Sequence, residues 1–193
     1  MKILIVSDTH GRHESLIRVL DKEEPVDMLI HCGDTEGGED WIRRHTQCLS
    51  VPVVKGNNDF FSMLPSELEL DIEGKHIFIT HGHGYGVSMG TERLVEEAVS
   101  RKADIVMYGH THRPMIRFET LSEPISRQGP KKDAQDSPKR GIWIINPGSL
   151  SYPRQEGHDP TYIIMQLEKG FEPESGEKEL RRPKGSTGRE LGR

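Results

Sequence analysis

Seven residues in this chain are of types that hold metal ions and activate water, and they fall in five short strings. Asp8 and His10 lie in SDTHG, Asp34 in HCGD, Asn57 in KGNND, His81 in THGHG, and His110 and His112 in YGHTH. Each string closes a short apolar run: Ile3 to Val6, Met28 to Ile30, Val51 to Val54, Ile77 to Ile79 and Ile105 to Met107. One Asp, His or Asn after one strand is ordinary turn chemistry. The same residue types after five successive runs point to one shared metal site. Imidazole, carboxylate and amide oxygen without thiolate suit divalent ions such as manganese, iron, cobalt or zinc.

The positioning elements follow from the pattern around these strings. Short runs rich in Ile and Val read as buried strands. Strand, helix and strand alternate early: a strand over 2–7, a helix from His13 to Lys22 stopped by Pro25, and a strand from Met28 to His31. GGEDWIRRHTQ reads as a second helix with Trp41 and Ile42 facing inward, followed by a strand from Val51 to Lys55. Residues 67–72 and 75–80 form a hairpin around Glu73-Gly74, and 90–101 form an amphipathic helix. Beyond His112 the runs Met115 to Phe118, Ile142 to Ile145 and Thr161 to Leu167 are strand-like, with no helix between them. Two sheets with outer helices accommodate both halves. In such layered folds, function gathers beyond the carboxyl ends of strands.

Composition sets limits on the rest. A chain of 193 residues fits one domain, and its polar excess concentrates near residues 120–140 and 172–193. The first segment reads as a mobile insertion and the second as a disordered polar tail. A net charge of −5 gives no general basic footprint for nucleic acid. No run approaches a membrane span. Cys32 and Cys48 show no disulfide or zinc spacing, so a cytoplasmic protein with reduced thiols is expected.

The five strings, in this order, resemble the calcineurin-like metallophosphoesterase superfamily, and within it the small single-domain bacterial and archaeal phosphodiesterases. The resemblance covers residues 1–168, and NPGS at 146–149 with YPR at 152–154 extends it. It implies an α/β (α+β) fold, a four-layer αββα sandwich of two mixed sheets flanked by helices. It also implies two divalent metals, manganese first, with iron, zinc, nickel and cobalt as alternatives. Asp8, His10 and His112 would hold one metal, and Asn57, His81 and His110 the other, with Asp34 bridging. The implied chemistry is direct hydrolysis of a small phosphate ester by a metal-bridging hydroxide. The catalytic set is then Asp34, Asn57 and His81, with Asn57 and Asn58 touching substrate. The resemblance leaves open a phosphomonoesterase, a scaffold like the retromer subunit of this fold, and assembly as a homo-oligomer.

One departure stands out. Many members carry GNH, where this chain has Gly56-Asn57-Asn58. An Asn donates a hydrogen bond but supplies no proton, so the leaving-group acid is open, with His83 and Asn58 as candidates. Among the remaining histidines, His31 reads as a satisfied structural residue. His13, His45, His76 and His158 read as surface or helix residues. Asp59 reads either as an orienter of a ligand or as a loop cap.

Overall fold

A computed structural model describes residues 1–121, 141–168 and the backbone of 180–181. The chain order is β1 (Lys2–Val6), α1 (Glu14–Glu23), β2 (Met28–His31), α2 (Glu39–His45), β3 (Glu67–Ile72), β4 (Lys75–Thr80) and a 3-10 turn (His83–Tyr85). Then come α3 (Glu92–Ser100), β5 (Ile105–Met107), β6 (Pro114–Thr120), β7 (Gly141–Pro147), β8 (Ile163–Gln166) and β9 (Leu180–Arg181). The first sheet runs β2-β1-β8-β9 and the second β3-β4-β5-β7-β6. Both are mixed: β1 pairs parallel with β2 and antiparallel with β8, while β5 pairs parallel with β4 and β7.

Alternation along the strands explains the layers, because successive side chains point to opposite faces. Ile3 and Ile5 of β1, with Met28 and Ile30 of β2, face inward against Ile77, Ile79, Ile105 and Met107 of the second sheet. The alternate residues Leu4, Val6 and Leu29 face outward and pack on Leu16, Val19, Leu20 and Ile42 of α1 and α2. On the far side Phe78, Val106 and Ile144 pack on Leu94, Val95 and Ala98 of α3. The result is the expected four-layer αββα sandwich.

The stretch Val51 to Lys55 departs from expectation. It runs beside β2 through two isolated parallel bridges, Met28 with Ser50 and His31 with Val53, and forms no continuous strand. Pro52 is the cause. The Leu29 N–H reaches the Ser50 carbonyl and the His31 N–H reaches the Pro52 carbonyl, but Pro52 has no N–H to return a bond to β2. The run still delivers Asn57 to the same end of the sheet. The proposed insertion at 120–140 falls almost wholly outside the described residues. So does most of the proposed tail at 172–193, apart from β9, which pairs antiparallel with β8.

Candidate metal centre

The loops leaving β1, β2, β4 and β5, with the loop after Val54, meet at one end of the two sheets. Five of the seven candidate ligands there hold left-handed backbone: Asp8 (φ 54°), His10 (47°), Asp34 (57°), His110 (66°) and His112 (58°). Outside glycine this conformation is uncommon and costs of order 1–3 kcal/mol per residue. Such strain persists only where the surroundings over-determine it, and it turns these side chains inward.

Two sets of donor atoms converge. Around Asp8, the His112 Nε2 lies 3.0 Å and the His10 Nε2 3.9 Å from Oδ1. Around Asn57, its Oδ1 lies 2.8 Å from His110 Nδ1 and 3.1 Å from His81 Nε2. Asp34 stands between the sets, its Oδ2 3.4 Å from His81 Nε2 and 3.9 Å from His10 Nε2. Asp8 and Asp34 are buried, and His81 is fully so. All seven candidates are thus brought together.

Hydrogen bonds on the far side of three of the rings set their tautomers. The Nδ1–H groups of His112 and His81 donate to the Tyr152 and Cys32 carbonyls, each at 2.7 Å. His10 Nδ1 faces the Glu36 carboxylate, also at 2.7 Å. In the neutral rings each Nε2 is therefore a lone pair aimed inward. His10 and His112 bring two such atoms within 3.3 Å of one another. Asp8 Oδ1 is buried and makes no hydrogen bond, with three imidazole Nε2 atoms at 3.0, 3.9 and 4.0 Å. Acceptors crowded on acceptors call for a cation. The same demand shows in the ring basicities. Burial disfavours the charged forms of His81 and His112, yet the Asp34 and Asp8 carboxylates outweigh it and raise both pKa values. The residues present fit a bound divalent metal.

The surrounding loops are locked to these ligands. The Asp59 carboxylate accepts from the Asp34 and Gly56 N–H groups at 2.9 and 2.8 Å, and from Thr35 Oγ and the Glu36 N–H at 3.1 and 2.6 Å. It ties the HCGD and KGNND loops together, which is the loop-cap role expected of it. Gly56 is required there, since a Cβ would stand 2.1 Å from Asp34 Oδ1. The NPGS segment braces the other loops: Asn146 Nδ2 donates to the Gly109 carbonyl at 2.8 Å, and Ser149 Oγ to the Asp8 carbonyl at 2.9 Å.

The secondary candidates separate. Asn58 donates to Asp34 through its backbone N–H (2.8 Å) and its side-chain amide (2.6 Å). His83 is exposed beside the second set, its ring centre 5.5 Å from that of His81 and 6.2 Å from that of His110. His31 is buried, takes the Gly33 N–H on Nδ1 and bonds Thr9 Oγ through Nε2. His13 caps the start of α1 and His45 ends α2, as a surface or helix reading expects, and their rings stack on Trp41 at 4.1 and 4.0 Å. Sequence reading missed Glu36 and the Tyr152 carbonyl. Neither carries a signal in its local string, since both act from loops that only the fold brings close.

The family model for the calcineurin-like phosphoesterase superfamily domain matches residues 1–170. The chain belongs to that superfamily, whose members are metal-dependent phosphoesterases. A protein of Bacillus subtilis named "Probable metallophosphoesterase" is 34% identical over 169 residues, covering 87% of this chain and 85% of its own. A phosphodiesterase of Methanocaldococcus jannaschii is 29% identical over 167 residues, covering 77% and 83%. The crystal structure of Vps29 from Entamoeba histolytica superposes with a TM-score of 0.65 at 20% identity, covering 88% and 87%, and shares the fold. Among the described residues, no helix is long and apolar enough to cross a membrane.

Proposed function

We propose that this protein is a phosphodiesterase with a dinuclear metal centre. Asp8, His10 and His112 hold one ion, Asn57, His81 and His110 the other, and Asp34 is shared. The observation that carries this reading is the convergence of inward-facing Nε2 lone pairs on the buried oxygens Asp8 Oδ1 and Asp34 Oδ2. Two divalent cations in such a site neutralise phosphate charge and generate a nucleophile from water at neutral pH. Manganese is the first choice, with iron, zinc, nickel and cobalt as alternatives.

The chain's own residues favour diesters with good leaving groups. Asn58 offers an amide and no transferable proton. Burial and the neighbouring His81 lower the His83 pKa. A ring that is neutral at pH 7 suits a hydrogen bond to phosphate better than proton donation. No strong acid is therefore supplied to the leaving oxygen, and an aryl or otherwise acidic alcohol leaves best. The relative in Methanocaldococcus jannaschii, named a phosphodiesterase, supports the diester assignment.

The test is hydrolysis of bis(p-nitrophenyl) phosphate and of p-nitrophenyl phosphate by chelator-treated protein, before and after manganese is restored. Metal-dependent turnover with the diester preferred is the expected result. Preference for the monoester would overturn the diester assignment, and inactivity with every divalent ion in folded protein would overturn the enzyme reading.

A further inference from the structure

Arg12 and Tyr152 form a unit at the edge of the metal centre that none of the ligand assignments use. Tyr152 is 43% exposed, yet its backbone is fixed on both sides. Its N–H donates to Ser149 Oγ at 2.8 Å, and its carbonyl receives His112 Nδ1–H at 2.7 Å. Its ring meets His10 edge-on, with ring centres 5.2 Å apart. The Arg12 guanidinium lies over the same ring, 4.5 Å from its centre. Arg12 is held from below as well, its N–H donating to the Thr9 carbonyl at 2.8 Å within the string that carries Asp8 and His10. Among the described residues no carboxylate lies within 4.0 Å of the Arg12 guanidinium, whereas the nearby Glu36 carboxylate is engaged by His10.

A guanidinium over an aromatic face is held by the ring and carries its N–H donors in a planar fork. Those donors match the oxygens of a phosphate or carboxylate. Arg12 contacts the ring that in turn contacts His10, so the Tyr152 side chain links its guanidinium to the edge of the candidate ligand set. We propose that Arg12, positioned by Tyr152, is a specificity residue that binds a second anionic group on the substrate, set back a few bonds from the scissile phosphorus. The inference rests on the phosphoesterase reading of the centre and narrows its substrates to esters carrying another phosphate or carboxylate.

The test is calorimetric binding of thymidine 3′,5′-bisphosphate and thymidine 5′-monophosphate to manganese-loaded protein. The wild type binds the bisphosphate roughly tenfold more tightly or better, the scale of one charge-assisted contact. In Arg12→Gln the ratio of the two dissociation constants falls close to one. Tyr152→Leu follows it, because the platform is lost, and Tyr152→Phe keeps the ratio. Arg18→Gln, an equal charge change on the exposed face of α1, also keeps it. A wild-type ratio near one, or an unchanged ratio in Arg12→Gln, overturns the proposal. The readout is independent of turnover. A ratio that depends on Arg12 in a protein that hydrolyses no diester would sink the phosphodiesterase reading and leave the anion site standing. Turnover without discrimination would do the reverse.

Discussion

Asn58 grips Asp34 at both carboxylate oxygens, with its backbone N–H 2.8 Å from Oδ1 and its side-chain amide 2.6 Å from Oδ2. Oδ2 is also the oxygen that faces His81 and His10. The amide therefore stabilises a buried negative charge until a cation does so. Removing a hydrogen bond to a charged group costs about 2 kcal/mol. Asn58→Ala is expected to lower the stability of metal-free protein by about that amount, and by clearly less with manganese bound. Urea unfolding with and without chelator measures both. Asn58→His restores a group able to give a proton and is expected to speed hydrolysis of an alkyl diester. An unchanged rate would argue that the leaving group needs no acid here.

Glu36 contacts the first proposed ligand set from outside it. Its carboxylate fixes the His10 tautomer at 2.7 Å. Partners of this kind typically change metal affinity by about 10–100-fold. Glu36→Ala is expected to weaken one manganese site by that factor and spare the other, with Glu36→Gln in between. Equal weakening of both sites, or none, would contradict the assignment.

Asp59 binds four donors from two loops. Asp59→Ala leaves buried N–H groups of Asp34 and Gly56 unpaired, each worth about 1–3 kcal/mol. A loss of at least about 2 kcal/mol in chemical unfolding is expected, together with loss of metal binding. Full metal binding in a folded variant would show that the clamp is dispensable.

His31 gives the protein a pH dependence unconnected with catalysis. Burial pushes its imidazole from the ordinary 6.5 down to about 4. The unfolded chain then takes up a proton at a pH where the folded one does not. Stability is complete above about pH 6.5 and declines as pH falls toward 4, by about 3 kcal/mol in all. The difference between wild type and His31→Gln isolates the effect from the rest of the chain. That difference is expected to shrink as pH falls through this window in metal-free protein. A constant difference would mean that His31 is not buried neutral.

Much of this was legible in the sequence, for reasons that are local. The continuous apolar runs of β1 and β2 and the Glu73-Gly74 turn each specify one structure within a few residues. Asp8, His10, Asp34, Asn57, His81, His110 and His112 could be named as candidates because each lies within a few residues after a short apolar run. What was hidden is long-range or geometric. Glu36 lies 26 positions from His10 and Tyr152 lies 40 from His112, and nothing in either string marks them as partners. Asn58 sits where a proton donor was sought, and only its contact with Asp34 shows its structural role. The exposed Phe60, Phe61 and Met63 were hidden too.

The central claim is that one buried carboxylate, Asp34, is shared by two metal ions. Manganese binding stoichiometry, measured by calorimetry on chelator-treated wild type and Asp34→Asn, tests it most directly. Two equivalents per chain in the wild type, with at least one lost in the variant while the fold is retained, is the predicted result. A single equivalent in folded wild type, or two equivalents of unchanged affinity in Asp34→Asn, would contradict it.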